Sequence, residues 1–177
     1  MKNKSVQFVA RAAVLLALCV VVQVVNLGQW VTGPAVNLIL LVAAMAGGLA
    51  CGLTVAVLNP LLVFFIKSPA VMVACPAILV EVMVGNALLV LVAWALRKPM
   101  MGIPGLVAGV LVKGLGMFVM TSYLVLPVFG AGLPEKLQAA ASASFGIIQL
   151  ATAAVGAVIF FVVWQVLKKV PGLAAEQ

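Results

Sequence analysis

The sequence predicts an all-α integral membrane protein with six transmembrane helices in a single domain spanning residues 1–177, both termini lying in the cytoplasm. Three observations carry that expectation. The first is composition: 67% of the chain is hydrophobic, 7% is charged, and the mean hydropathy is +1.38. A soluble domain is nearer half apolar and a quarter charged. With 10 basic and 3 acidic side chains in 177 residues, the chain cannot cover this much apolar surface, so lipid is its main solvent. The second is a succession of apolar runs long enough to cross a bilayer. The third is that the basic residues fall between these runs and gather on one side of the membrane.

A spanning helix needs about 20 apolar residues at 1.5 Å each. Span 1 covers about 8–27. Its basic start resembles a secretory signal, but the apolar stretch from Phe8 to Val25 is long and no small-x-small cleavage site follows, so it reads as a retained helix. Gly28 to Gly33 reads as a loop, with Pro34 suited to the first turn of the next helix. No charge interrupts Ala35 to Ile66, a run too long for one ordinary span. Gly47-Gly48 offers a turn there, giving short spans 2 and 3 over about 35–46 and 49–66, closed by Lys67-Ser68-Pro69. Span 4 covers about 76–96 and ends at Arg97-Lys98-Pro99. Span 5 covers about 102–126, and Pro127 to Lys136 forms the longest loop. Span 6 covers about 143–167, preceded by a short interfacial helix beginning at Glu135.

Six spans put both termini, the 2–3 turn and the 4–5 loop on one side, together with Lys2, Lys4, Arg11, Arg97, Lys98, Lys168 and Lys169. The other side holds Lys67 and Lys136. The excess marks the cytoplasmic face. A single helix over 35–66 would carry Arg97 and Lys98 to the wrong side.

Several functions are excluded at this level. Histidine and aspartate are absent, which removes Ser-His-Asp catalysis, HExxH zinc sites and EF-hand loops. Cys19, Cys51 and Cys75 lie in or beside apolar runs without metal-ligand spacing, as small buried hydrophobes. The basic residues punctuate apolar runs and make no continuous face for nucleic acid. No GxxxxGK[ST] loop is present, so any ATP hydrolysis belongs to partner subunits. The expectation is a non-enzyme with no catalytic residue, metal or resident cofactor.

The polar residues within the spans are the functional candidates. Glu81 and Lys113 are ionisable at mid-membrane, where a charge costs at least about 2.5–3.5 kcal/mol. Lys113 lies at about the depth of Asn86, with Glu81 roughly two turns further out. Two readings stand: a structural Lys–Glu pair bridged by the long Lys stem, or an outward-opening pocket for a small polar solute. Gln23, Asn26, Asn37, Asn59, Asn86 and Gln149 add amides on five of the six spans. Each could be an interhelical hydrogen bond worth about 0.6 kcal/mol, or a pocket group. Asn59-Pro60 interrupts span 3, as a kink or as a freed carbonyl. Trp30 reads as an interfacial anchor or a lid. Phe64, Phe65, Phe160, Phe161 and Trp164 read as packing or lipid-facing residues, and Gly105-x-x-x-Gly109 as a helix contact. Ala13-x-x-x-Ala17 marks a small-residue face on span 1.

Taken over nearly the whole chain, these features resemble the substrate-binding S component of an energy-coupling factor (ECF) vitamin transporter. The resemblance rests on size, six spans, short second and third helices, Ala13 and Ala17, and the runs Trp30-Val31-Thr32-Gly33-Pro34-Ala35-Val36-Asn37, Leu58-Asn59-Pro60 and Gly85-Asn86. It implies a multi-pass protein of the cytoplasmic membrane that binds a small vitamin-like solute from outside and topples to release it inside. Two ATPase subunits drive this through a transmembrane coupling subunit that packs on the Ala13/Ala17 face. Asn37, Glu81, Asn86, Lys113 and Gln149 are then the expected pocket groups, with Trp30 over them. Two other classes remain open: a self-sufficient proton-coupled transporter or channel using Glu81 with Lys113, and a scaffold subunit without a solute.

Overall fold

The computed structural model describes residues 4–25, 27–98, 102–167 and 169. Expectations that fall on Lys2, Asn26, Pro99 and Lys168 lie outside these residues. The described chain is helical throughout and contains no strand. The elements are α1 (Lys4–Val25), α2 (Gln29–Gly47), α3 (Leu49–Lys67), α4 (Ala70–Ala74), α5 (Ala77–Ala95), α6 (Ile103–Val119), α7 (Glu135–Phe145) and α8 (Ile148–Leu167). A π-helical stretch, Met120–Phe129, prolongs α6. Six helices are long and apolar enough to cross a membrane.

The turn between α2 and α3 is made by Gly48 at φ 85 and ψ 167, a region that only glycine occupies readily, so the split expected at Gly47-Gly48 is present. Boundaries differ from expectation at the start of α2, the end of span 5 and the start of α8. α2 starts at Gln29 directly after Gly28 (φ 79), which makes it a full 19-residue span, and the expected loop Gly28 to Gly33 is mostly its first turns. Gly33 serves close approach here: an added Cβ would lie 2.8 Å from Thr152 Cβ on α8. α3 continues through Asn59-Pro60, and Pro60, with no N–H to give, lies inside the helix. α4 fills the segment between Pro69 and Cys75, which lies outside the expected spans. The helix of span 5 continues past Pro127 to Phe129 through wider π-type turns, and α8 begins after a break at Gly146.

α2, α3, α5, α6 and α8 enclose the main core, built around Leu40, Leu41, Val55, Leu89, Val90 and Phe160. Glycines set the tightest contacts. A Cβ on Gly105 would lie 2.7 Å from Ala93 O and one on Gly109 3.1 Å from Leu89 O, so this pair packs α6 on α5 as expected. α1 lies at the edge, with Val6, Val9, Val14, Leu18, Val21 and Val25 exposed. A second, smaller core joins α4, α5, the π-helical stretch and α7 through Met72, Ile78, Val125 and Ala141. Phe160 stacks on Trp164 at 5.5 Å, and Phe64 packs inward while Phe65 is exposed.

Two bonds fix which ends meet. Arg11 Nη1 donates to Ala46 O at 3.2 Å, joining the start of α1 to the α2–α3 turn. Lys67 Nζ donates to Gln23 O at 2.8 Å, joining the ends of α1 and α3. Arg11, Arg97, Lys98 and Lys169 thus share one end of the bundle, with Arg97 also over the Trp94 ring at 3.6 Å. Lys67 and Lys136 lie at the other end.

Candidate functional site

The end of the bundle away from the clustered basic residues holds a cavity of about 100 Å³. Its floor is made by Asn37 of α2, Asn86 of α5 and Lys113 of α6. All three are buried, Lys113 to 2% exposure. Lys113 Nζ donates to Asn37 Oδ1 at 2.5 Å and to Asn86 Oδ1 at 2.7 Å. Small residues set close helix approaches around these contacts, α6 against α8 and α5 against α6. A Cβ on Gly114 would lie 2.5 Å from Leu150 Cα, and one on Gly85 2.6 Å from Met117 Sδ. Gly156 of α8 sits where a Cβ would meet Asn37 Cβ at 2.7 Å, which brings α8 against α2.

Above the floor, amides surround the cavity. Gln23 Nε2 donates to Asn59 Oδ1 at 2.6 Å and to Cys19 O at 3.2 Å, tying α1 to α3. Gln149 Nε2 donates to Ser144 O at 2.8 Å, and Gln29 Nε2 reaches the same carbonyl at 3.5 Å, so the α7–α8 junction is pinned beside the cavity. The apolar wall comes from Val36, Pro60, Val63, Met72, Val82 and Phe145.

Of the residues expected in a pocket, Asn37, Asn86, Lys113 and Gln149 come together. Glu81 and Trp30 do not line the cavity. Trp30 is 66% exposed on the first turn of α2. Glu81 is buried against the π-helical stretch, where Thr121 Oγ1 hydrogen-bonds Glu81 Oε1 and also lies 3.0 Å from Phe145 O. Glu81 Oε2 has no partner among the described residues. The expected Lys–Glu pair is therefore not formed, because Lys113 is met at its own depth by two amide oxygens. The matching depth of Lys113 and Asn86, by contrast, is as expected.

Gln29, Thr32, Met72 and Phe145 line the cavity without having been anticipated. The first two fell in an expected loop, and Met72 lies in the short helix between prolines. Thr121 follows Lys113 on the same helix toward the level of Glu81, and a lone Thr in an apolar run carries no signal of its own. Ala13 and Ala17 lie exposed on α1. Cys19, Cys51 and Cys75 are buried free thiols. No family model, curated protein or solved structure matches this chain.

Proposed function

We propose that this protein is the substrate-binding S component of an ECF-type importer in the cytoplasmic membrane. It captures a small water-soluble, vitamin-like solute from outside and hands it inward. The observation that carries the reading is the polar cavity over Lys113, Asn37 and Asn86, set in an otherwise apolar bundle. Side chains this polar are costly within a bilayer and normally serve a solute or a pathway. The positive-inside rule supports a cytoplasmic position for the end that gathers the basic residues, and in this reading the cavity opens outward.

The outer face of α1 supports the need for partners. Ala13 and Ala17 are exposed among exposed valines, and small residues let a second helix approach closely. This face receives the coupling subunit, through which two ATPase subunits act. Replacing Ala13 or Ala17 by Phe leaves the bundle folded, because neither position is buried. The expected result is loss of co-purification with the coupling subunit and ATPases, with solute binding unchanged. An intact complex carrying both substitutions contradicts the assignment.

One observation favours a second reading, a self-sufficient proton-coupled transporter: Glu81 has an unpartnered carboxyl oxygen deep in the bundle. In that reading Glu81 works without Lys113, which is bonded elsewhere.

A further inference from the structure

The hydrogen atoms at the cavity floor narrow the class of ligand. An ammonium group only donates, so the amide oxygens of Asn37 and Asn86 have to face Lys113 and their NH₂ groups have to point elsewhere. Neither NH₂ group meets a protein acceptor among the described residues, and neither is sealed from solvent-sized space. Both therefore open to the cavity that their residues line. Lys113 carries three N–H bonds and uses two on the amides, which leaves one. With Lys113 as the ammonium, the floor presents spare N–H donors, while each amide oxygen already accepts one hydrogen bond. Among the described residues no acidic side chain lines the cavity to balance the ammonium.

We infer, on the reading of this cavity as a solute pocket, that its ligand is a small monocarboxylate with an apolar body. The carboxylate accepts from Lys113, Asn37 and Asn86, and the body lies against Val63, Met72 and Phe145. A charged acceptor is favoured because hydrogen bonds between ionised partners are roughly twice as strong as neutral ones. An amine would place a second cation directly beside Lys113, and the cavity's other acceptors, on Gln29, Thr32 and Gln149, are neutral. A dianionic phosphate would bring a second negative charge that no side chain meets. The volume of about 100 Å³ is well below the roughly 300 Å³ at which drug-sized pockets begin, which restricts the body to a compact ring or a short chain.

The test uses the purified full chain in nanodiscs and isothermal calorimetry with benzoate, nicotinate and 3-phenylpropanoate. Each acid is run against its primary amide, and benzylamine serves as the cationic probe. At least one acid is expected to bind at least tenfold more tightly than its own amide. Lys113→Met is expected to abolish that preference. Should this variant fail to fold, Asn86→Asp gives the second arm: it keeps an oxygen for Lys113 but supplies the counter-charge internally, and acid binding should fall at least tenfold. Acids that bind no better than their amides, or that bind Asn86→Asp as they bind the wild type, overturn the proposal. Preference for the amides or for benzylamine overturns the anionic ligand while leaving a solute pocket in place. Binding of none of the three classes overturns both.

Discussion

Glu81 and Lys113 are both buried and ionisable, yet the chain satisfies them in opposite ways. Lys113 is a donor met by two acceptors. At Glu81 the count runs short: the Thr121 hydroxyl has one hydrogen but touches two acceptors, Glu81 Oε1 and Phe145 O. A proton on the Glu81 carboxyl completes the set, since it donates to Thr121 while Thr121 donates to Phe145 O. Glu81→Gln, whose NH₂ can take over that donation, should therefore melt within a few degrees of the wild type in detergent. Thr121→Val removes the bridge and should cost about 1–3 kcal/mol of stability. A larger loss from Glu81→Gln than from Thr121→Val contradicts the count. At this scale the sequence revealed that Lys113 and Asn86 share a depth, because rise along a helix is fixed. It did not reveal that Asn37, rather than Glu81, is the second partner of Lys113. Depth says nothing about the rotation of each helix about its own axis, which packing decides.

At the level of the helices, glycines do two different jobs, and variants can separate them. Gly48 holds a conformation closed to other residues but faces open space. Gly48→Ala should cost about 1–3 kcal/mol through backbone strain alone. Gly114 and Gly116 share α6 and an ordinary helical backbone, yet a Cβ at Gly114 would meet Leu150 Cα at 2.5 Å while one at Gly116 meets nothing within 4 Å. Gly114→Ala should therefore lower the melting temperature sharply, and Gly116→Ala should leave it unchanged or raised. The same distinction explains what was legible in the sequence. Gly47-Gly48 was recognisable as a turn because an uninterrupted run of apolar residues needed one. Gly33 and Pro34 looked like loop punctuation for the opposite reason: nothing local shows that Gly33 packs against Thr152 on a helix far along the chain. In a bilayer, unmade backbone hydrogen bonds cost more than unfavourable propensity, so helices persist through Pro34, Pro60 and Pro127.

The whole molecule is polarised. One end carries Arg11, Arg97, Lys98 and Lys169; the other carries the cavity. The native cysteines are buried, which gives a quiet background for labelling. A cysteine replacing Gly132, in the exposed loop before α7, should react with a membrane-impermeant maleimide added to intact cells. One replacing Lys98 should react only after permeabilisation. Reversal of the two patterns would invert the topology and turn the cavity toward the cytoplasm. The alternation of six spans and the charge bias were readable from the sequence because both are properties of the chain as a string. An outward-opening pocket with Asn37, Asn86, Lys113 and Gln149 was one of the readings open from the sequence; its small size and apolar wall were not legible, because they arise where α2, α3, α4, α5 and α7 converge. The central claim is that this bundle captures a solute by itself but moves it only with partners. Radiolabelled uptake into proteoliposomes tests this directly, using whichever carboxylate binds most tightly. The account predicts binding by the chain alone, and uptake only when the coupling subunit, both ATPases and ATP are present. Uptake by the chain alone, driven by a proton gradient, would contradict it.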